Sequence, residues 1–198
     1  MPVHQPAWEA RTAKTRADIV ESALALFEDA GYDATTVDQI VASAGVARRT
    51  FFRYFSSKEA VLFSDFTARQ QRVAARLRAR PSDEEPLHSL IAVLRSMCDE
   101  PIDSSRVESL RRVVADSPVL RDRQNRIFVD DFISELTHIL EERASGKESA
   151  VALRAMVISA VGCIEVATMT HLKYHRSSVR GLFDEAVEAC RGAWADVT

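Results

Sequence analysis

Between Val46 and Lys58 the chain places Arg48, Arg49, Arg53 and Lys58 close together, with no acidic residue among them. Arg49 and Arg53 are four apart, and so are Phe51 and Phe55. On a helix each pair shares a face, so guanidinium groups look one way and phenyl rings another. A guanidinium pairs bidentately with a guanine edge and clamps phosphate equally well. Thr36, at the start of an earlier helix, offers a hydroxyl and a backbone N–H to a phosphate. This is the chemistry of reading a duplex, not of breaking a bond.

The elements that position these groups follow from apolar spacing. Ile19, Ala23 and Phe27 recur every four residues beside Val20 and Leu24, which predicts a helix from Thr15 that Gly31 stops. Thr36 with Gln39 makes a capping box for a second helix, striped by Ile40, Val41 and Ala44 and broken at Gly45. A short third helix covers about 47–55, with its phenyl face against Val20, Phe27, Ile40 and Val41. Helix, glycine turn and short helix is the layout of a helix-turn-helix, whose second helix enters the major groove.

Further helices are expected from Ser57 to about Arg80, Leu87 to Cys98, Ser104 to Asp116, Pro118 to Ser145-Gly146, Glu148 to Tyr174, and Val179 to Ala195. That makes about nine in an all-α chain with no alternating strand pattern. The first ten or so residues read as an arm. The boundary falls between residues 1–56, arm and helix-turn-helix, and residues 57–198, a helical domain.

Charge and composition exclude several classes. The net charge is −3, so whole-molecule attraction to nucleic acid is absent and positive charge must be local. Residues 1–60 hold seven basic and eight acidic side chains, which leaves the 46–58 cluster as the only concentrated positive patch in that region. Cys98, Cys163 and Cys190 are scattered and odd in number, which fits a reducing cytoplasm better than a disulfide framework. No apolar leader opens the chain, and no stretch reads as long enough to span a bilayer. The run Ala155–Thr170, interrupted by Ser159, Gly162 and Glu165, reads as a buried helix.

Residues 15–62 resemble the N-terminal domain of TetR-family repressors. The matching pieces are Ile19 with Ala23 and Phe27, Gly31-Tyr32, Thr35-Thr36-Val37, Ile40, Ala44-Gly45-Val46, Thr50, Tyr54-Phe55 and Lys58-Glu59. The resemblance implies phosphate contacts from Thr36, Thr50, Tyr54 and Lys58, with Arg48, Arg49 and Phe52 facing bases or backbone and Arg53 beside them. Three positions depart from the common pattern: Ala47 stands for a capping Ser, Arg49 for Gly, and Phe52 for Tyr. The lost Tyr hydroxyl removes one phosphate bond, while Phe52 suits a thymine methyl.

The resemblance further implies a dimer on double-stranded palindromic operator DNA, a C-terminal domain for a small hydrophobic effector, and repression relieved by that effector. The family's last two long helices pair with their copies. Here the first of these, from Glu148, is apolar nearly all round over Ala155–Thr170, which demands burial on two sides. Glu165, the sole charge in that run, is expected to be buried against a ligand, an arginine or an interface network. Met97, Phe128 and Met169 suit the walls of a pocket, and suit ordinary core packing as well. Arg111, Arg112 and Arg126 could meet an anionic ligand or pair with acids.

His171 and His175 have metal-holding spacing but no third ligand beside them, so no metal is expected, and no cofactor. No nucleophile triad or phosphate-cradling loop stands out, so no enzyme is expected. The competing readings are a helical binding module without DNA recognition, supported by the acidic balance of residues 1–60, and a small helical enzyme using Glu165 or His171.

Overall fold

Ile19, Val20, Ala23 and Phe27 are all buried, and their stripe runs along the first helix, α1 (Ala7–Ala30). In the computed structural model residues 7–144, 148–174 and 177–195 are described, apart from the side chains of 7, 9, 10, 125, 128–130 and 193–195. Gly31 ends α1 with φ +84°, a left-handed conformation that costs a side-chain-bearing residue about 1–2 kcal/mol. The helix begins eight residues before the expected Thr15; of the expected arm, residues 1–6 lie outside the described part.

Next come α2 (Val37–Ser43), α3 (Arg48–Tyr54), α4 (Lys58–Leu62) and α5 (Ser64–Arg78). Thr36 and Gln39 form the full capping box: Thr36 N–H donates to Gln39 Oε1 at 2.7 Å and Gln39 N–H to Thr36 Oγ1 at 3.3 Å. Gly45 turns the chain between α2 and α3 at φ +64°. Ser57 caps α4 by accepting from Ala60 N–H at 3.1 Å.

The remaining helices are α6 (Pro86–Met97), α7 (Ser104–Asp116), α8 (Pro118–Asn125), α9 (Ile133–Ala144), α10 (Ala150–Tyr174) and α11 (Val179–Ala195). A π turn, Arg126–Phe132, joins α8 to α9. Eleven α-helices therefore replace the expected nine among the described residues, with no strand. The helix expected over 57–80 is broken at the buried Phe63, and that expected from Pro118 is interrupted by the π turn. Gln70 Nε2 donates to the Ile127 carbonyl of that turn at 3.1 Å, answering a backbone group that the widened ladder disturbs. The expected stop at Ser145-Gly146 lies outside the described residues.

The chain packs as two compact units. The first is Met1–Thr67 with Ser105–Gln124, and the second is Ala68–Ser104 with Asn125–Thr198. The division between these units falls inside α5, and the first unit takes in most of α7 and all but the last residue of α8. Ion pairs tie these segments to the rest of the first unit: Arg112 meets Glu28 of α1 at 2.6 Å, and Arg106 meets Asp65 at the start of α5 at 2.8 Å. The bond from Arg112, then one to Ser109, holds the Glu28 carboxyl below the usual carboxylate range.

The second unit has one apolar core. Leu90, Leu94 and Met97 of α6, Leu136, Ile139 and Leu140 of α9, Leu153 and Val157 of α10, and Phe183 of α11 all meet in it. Arg143 hydrogen-bonds to the Arg80 and Pro81 carbonyls that follow α5, and to Ser89 Oγ at 2.9 Å.

Helix α10 runs 25 residues, close to the span expected from Glu148 to Tyr174, and corrects the reading that no stretch is long enough to span a bilayer. By length and composition it is long and apolar enough to cross a membrane, and 33% of its most apolar window is buried. Its inner side, Leu153, Val157, Ala160, Val161 and Ala167, enters the core of the second unit. Its outer side leaves Val151, Ile158 and Val166 exposed.

Candidate nucleic-acid interface

Helix α3 has seven residues and two chemically distinct faces. Phe51 is fully buried and Phe55 nearly so, joining Val20, Phe27, Ile40 and Val41 in the core of the first unit. The two rings lie 5.8 Å apart between centroids, in tilted contact. With the hydrophobic side anchored, the helix turns Arg48, Arg49, Phe52 and Arg53 into solvent. Phe52 is 46% exposed and stands among these arginines. Ala47, Arg49, Thr50, Phe52 and Arg53 line a shallow open depression.

The arginines do not share one role. Arg48 pairs with Asp38 of α2, and its guanidinium stands 5.4 Å from the centre of the Phe52 ring. Arg53 donates to Tyr54 Oη at 3.2 Å and lies 4.9 Å from that ring's centre, so the two groups lean together. Exposed pairs of this kind contribute little to stability, about 0–1 kcal/mol, and can open when a stronger anion arrives. Ala47, the N-cap of α3, supplies no side-chain acceptor, as its departure from Ser entails.

Thr36 is exposed at the head of α2. Its hydroxyl is engaged within the capping box and donates to Gln39 Oε1 at 2.9 Å. Thr50 and Tyr54 are half-buried along the flank of α3. Thr36, Arg48, Arg49, Thr50, Phe52, Arg53 and Tyr54 thus belong to two short helices joined by one glycine turn.

Lys58 is turned the other way. Its ammonium donates to the carbonyls of Tyr32 at 2.7 Å and Thr35 at 2.9 Å, with that of Asp33 at 3.5 Å, and lies 4.1 Å from the Tyr32 ring centre. An ammonium has three donors, and these carbonyls occupy them. In the DNA-free chain these bonds tie the start of α4 to the loop between α1 and α2. Burial, then the charges of Glu59 and Asp33, push the Tyr32 hydroxyl above the usual phenol range.

Three supports went unread in the sequence. Thr35 is buried and donates to the carbonyls of Leu26 at 3.2 Å and Gly31 at 2.8 Å, closing the end of α1. Asp38 faces Arg48. Asp65 holds Arg16 at 3.3 Å and Arg106 at 2.8 Å, while the Arg16 guanidinium stacks 5.4 Å from the Phe55 ring centre. Only Thr35 leaves a local trace, beside the capping Thr36; the other partners are ten or more residues apart.

Three of the residues suggested for an effector, Met97, Glu165 and Met169, have described side chains. Met97 is buried at 1% exposure in the core of the second unit, and Met169 is half-buried on α10. Glu165 is exposed in the single chain, beside Val166 on the outer side of α10, so the core of its own protomer does not bury it. The Phe128 side chain and His175 lie outside the described residues. His171 Nδ1 is 2.6 Å from the Ser177 carbonyl. Arg112 is ion-paired with Glu28 and Glu108.

Comparison with known proteins follows the same division. Residues 19–64 match the family model for bacterial regulatory proteins of the tetR family. The HTH-type transcriptional regulator TcmR of Streptomyces glaucescens is 34% identical over 114 residues, 54% of this chain and 50% of TcmR. The chain thus spans about half the length of that curated relative. Among solved structures, Thermus thermophilus FadR, a repressor in complex with lauroyl-CoA, superposes with a TM-score of 0.51 at 21% identity, covering 87% of this chain and 91% of FadR. SmeT, the repressor of the Stenotrophomonas maltophilia efflux pump SmeDEF, gives 0.52 at 20% identity, covering 88% and 89%. At these identities the likeness concerns the fold.

Proposed function

We propose that the chain, whose residues 19–64 match the tetR family model, is a regulator of that family that binds a palindromic operator as a homodimer and represses transcription until a small hydrophobic effector releases it. The observation that carries this reading is the two-faced α3, with Phe51 and Phe55 buried behind an exposed Arg49, Phe52 and Arg53. Arg49 reads a base edge, Arg53 and Tyr54 meet phosphate, and Phe52 covers a thymine methyl. Arg48 exchanges Asp38 for DNA. Thr36 and Thr50 border the backbone contacts.

The dimer rests on α10 and α11. The outer face of α10 repeats Val151, Ile158 and Val166 at intervals of seven and eight, which is one stripe of a helix. A second copy covers that stripe and brings two α3 helices to about 34–36 Å, one turn of DNA. The effector belongs to the second unit and acts by favouring a different spacing of the two α3 helices. FadR holds an acyl thioester, and an apolar core of α6, α9 and α10 supports the same class of ligand here, with Met97 and Met169 nearby. The role is regulatory rather than enzymatic, and its place is the cytoplasm.

Operator selection from random duplexes tests the proposal. The expected product is an inverted repeat with half-sites one turn apart, bound more weakly as salt rises by about 0.9 log unit per phosphate contact for each log unit of salt. Absence of any enriched sequence, with affinity indifferent to salt, would leave a helical binding module without DNA recognition.

A further inference from the structure

Cys163 on α10 and Cys190 on α11 face each other with their Sγ atoms 3.6 Å apart. Cys163 is buried, whereas Cys190 is half-buried and open to a small solute. The third cysteine, Cys98 on α6, is buried and donates its thiol to the Leu94 carbonyl at 3.4 Å. Around the facing pair the two helices present mostly apolar side chains, including Ala160, Ala167, Phe183 and Val187. A disulfide has sulfurs about 2.05 Å apart, so closure needs an approach of about 1.5 Å, in reach of side-chain rotation with a small helix shift.

We propose that Cys163 and Cys190 form a dithiol site that hydrogen peroxide, or another two-electron oxidant of that class, converts into a disulfide within one protomer. Cys190, the accessible sulfur, attacks one peroxide oxygen. The O–O bond breaks, a proton passes to the departing oxygen, and water leaves behind a sulfenic acid. The Cys163 sulfur then attacks the Cys190 sulfur. The S–S bond forms, the S–O bond breaks, and the hydroxide takes the Cys163 proton as a second water. Two thiols and one peroxide become one disulfide and two waters, with sulfur oxidised and oxygen reduced.

Burial, then the contact with Cys190, raises the Cys163 thiol to about 11. Little of it is thiolate at neutral pH, so the second step relies on proximity and accelerates as pH rises. The product fastens α10 to α11 and needs no DNA.

The test uses the full chain and hydrogen peroxide alone. After treatment the intact mass falls by two hydrogens, alkylation under denaturing conditions marks Cys98 only, and peptide mapping joins the segments bearing Cys163 and Cys190. A reductant restores all three thiols. Cys190→Ser abolishes the mass loss, and Cys163→Ala lets Cys190 proceed to the sulfinic acid. The proposal is overturned if all three thiols still alkylate after peroxide has consumed an equimolar low-molecular-weight thiol. It is equally overturned if the bond joins two protomers or includes Cys98. Because the wild-type mass and map decide the matter, a variant that does not fold leaves the test intact.

Discussion

Helices α3 and α10 each bury one side in a core and expose the other, yet they convey different amounts. In α3 a buried phenyl face and an exposed guanidinium face stand within seven residues, so the chemistry of the partner can be read from the helix itself. In α10 both faces are apolar. Leu153, Val157 and Ala160 point into a core, while Val151 at 80% and Val166 at 59% exposure point out. An apolar outer face states that something covers it, but carries little information about what. Charge beside hydrophobicity specifies a partner; hydrophobicity alone specifies only burial.

The largest expected effect comes from breaking the support behind α3. Phe51→Ala removes a fully buried ring, at a cost of about 3–5 kcal/mol, comparable with the whole stability of a small domain. Operator binding should vanish, and the first unit should melt well below the second. Calorimetry together with a DNA-binding titration checks this. A single unshifted transition with full binding would mean that α3 does not depend on its phenyl face.

Next is the outer face of α10. Val166→Asp leaves the protomer fold intact because the side chain is already exposed, but puts a charge into the proposed subunit contact. With an unpaired polar group costing at least about 2–3 kcal/mol there, the dimer should weaken by about 100-fold. Sedimentation velocity across a dilution series measures it. An unchanged dimer would move the interface elsewhere and leave the exposed stripe without a partner.

The same contrast explains what was legible in advance. The helix-turn-helix could be read because its determinants are local: Thr36 with Gln39, Gly31 and Gly45, and the paired four-residue spacings of α3. The Asp65 junction with Arg16 and Arg106 could not, since its members lie 49 and 41 positions apart and each is an ordinary surface charge in sequence. The side of α10 on which Glu165 lies was hidden because an all-round apolar helix does not announce which side faces its own core. The π turn was hidden because Ile127 and Phe132 fit a helical period well enough to look continuous.

Arg49→Ala sharpens the comparison at the level of a single face. A bidentate base contact is worth about 1–3 kcal/mol of discrimination, so the operator should lose roughly 5- to 150-fold in affinity while random DNA loses much less. Competition binding on the two duplexes measures the ratio. Equal losses on both would reduce Arg49 to a phosphate contact.

The smallest expected effect separates Lys58 from Arg53, which the sequence presents as members of one basic cluster. Arg53 is exposed, and its Ala variant should flatten the salt dependence by about one contact. Lys58 is bound to the Tyr32 and Thr35 carbonyls, so Lys58→Met should lower stability by about 1 kcal/mol and leave the salt slope where it was. A counterion is released only when a cation meets phosphate, so the slope distinguishes a contact from a brace even when both variants bind more weakly. If Lys58→Met flattens the slope as Arg53→Ala does, the ammonium leaves its carbonyls on the operator, and the loop between α1 and α2 must move when DNA binds.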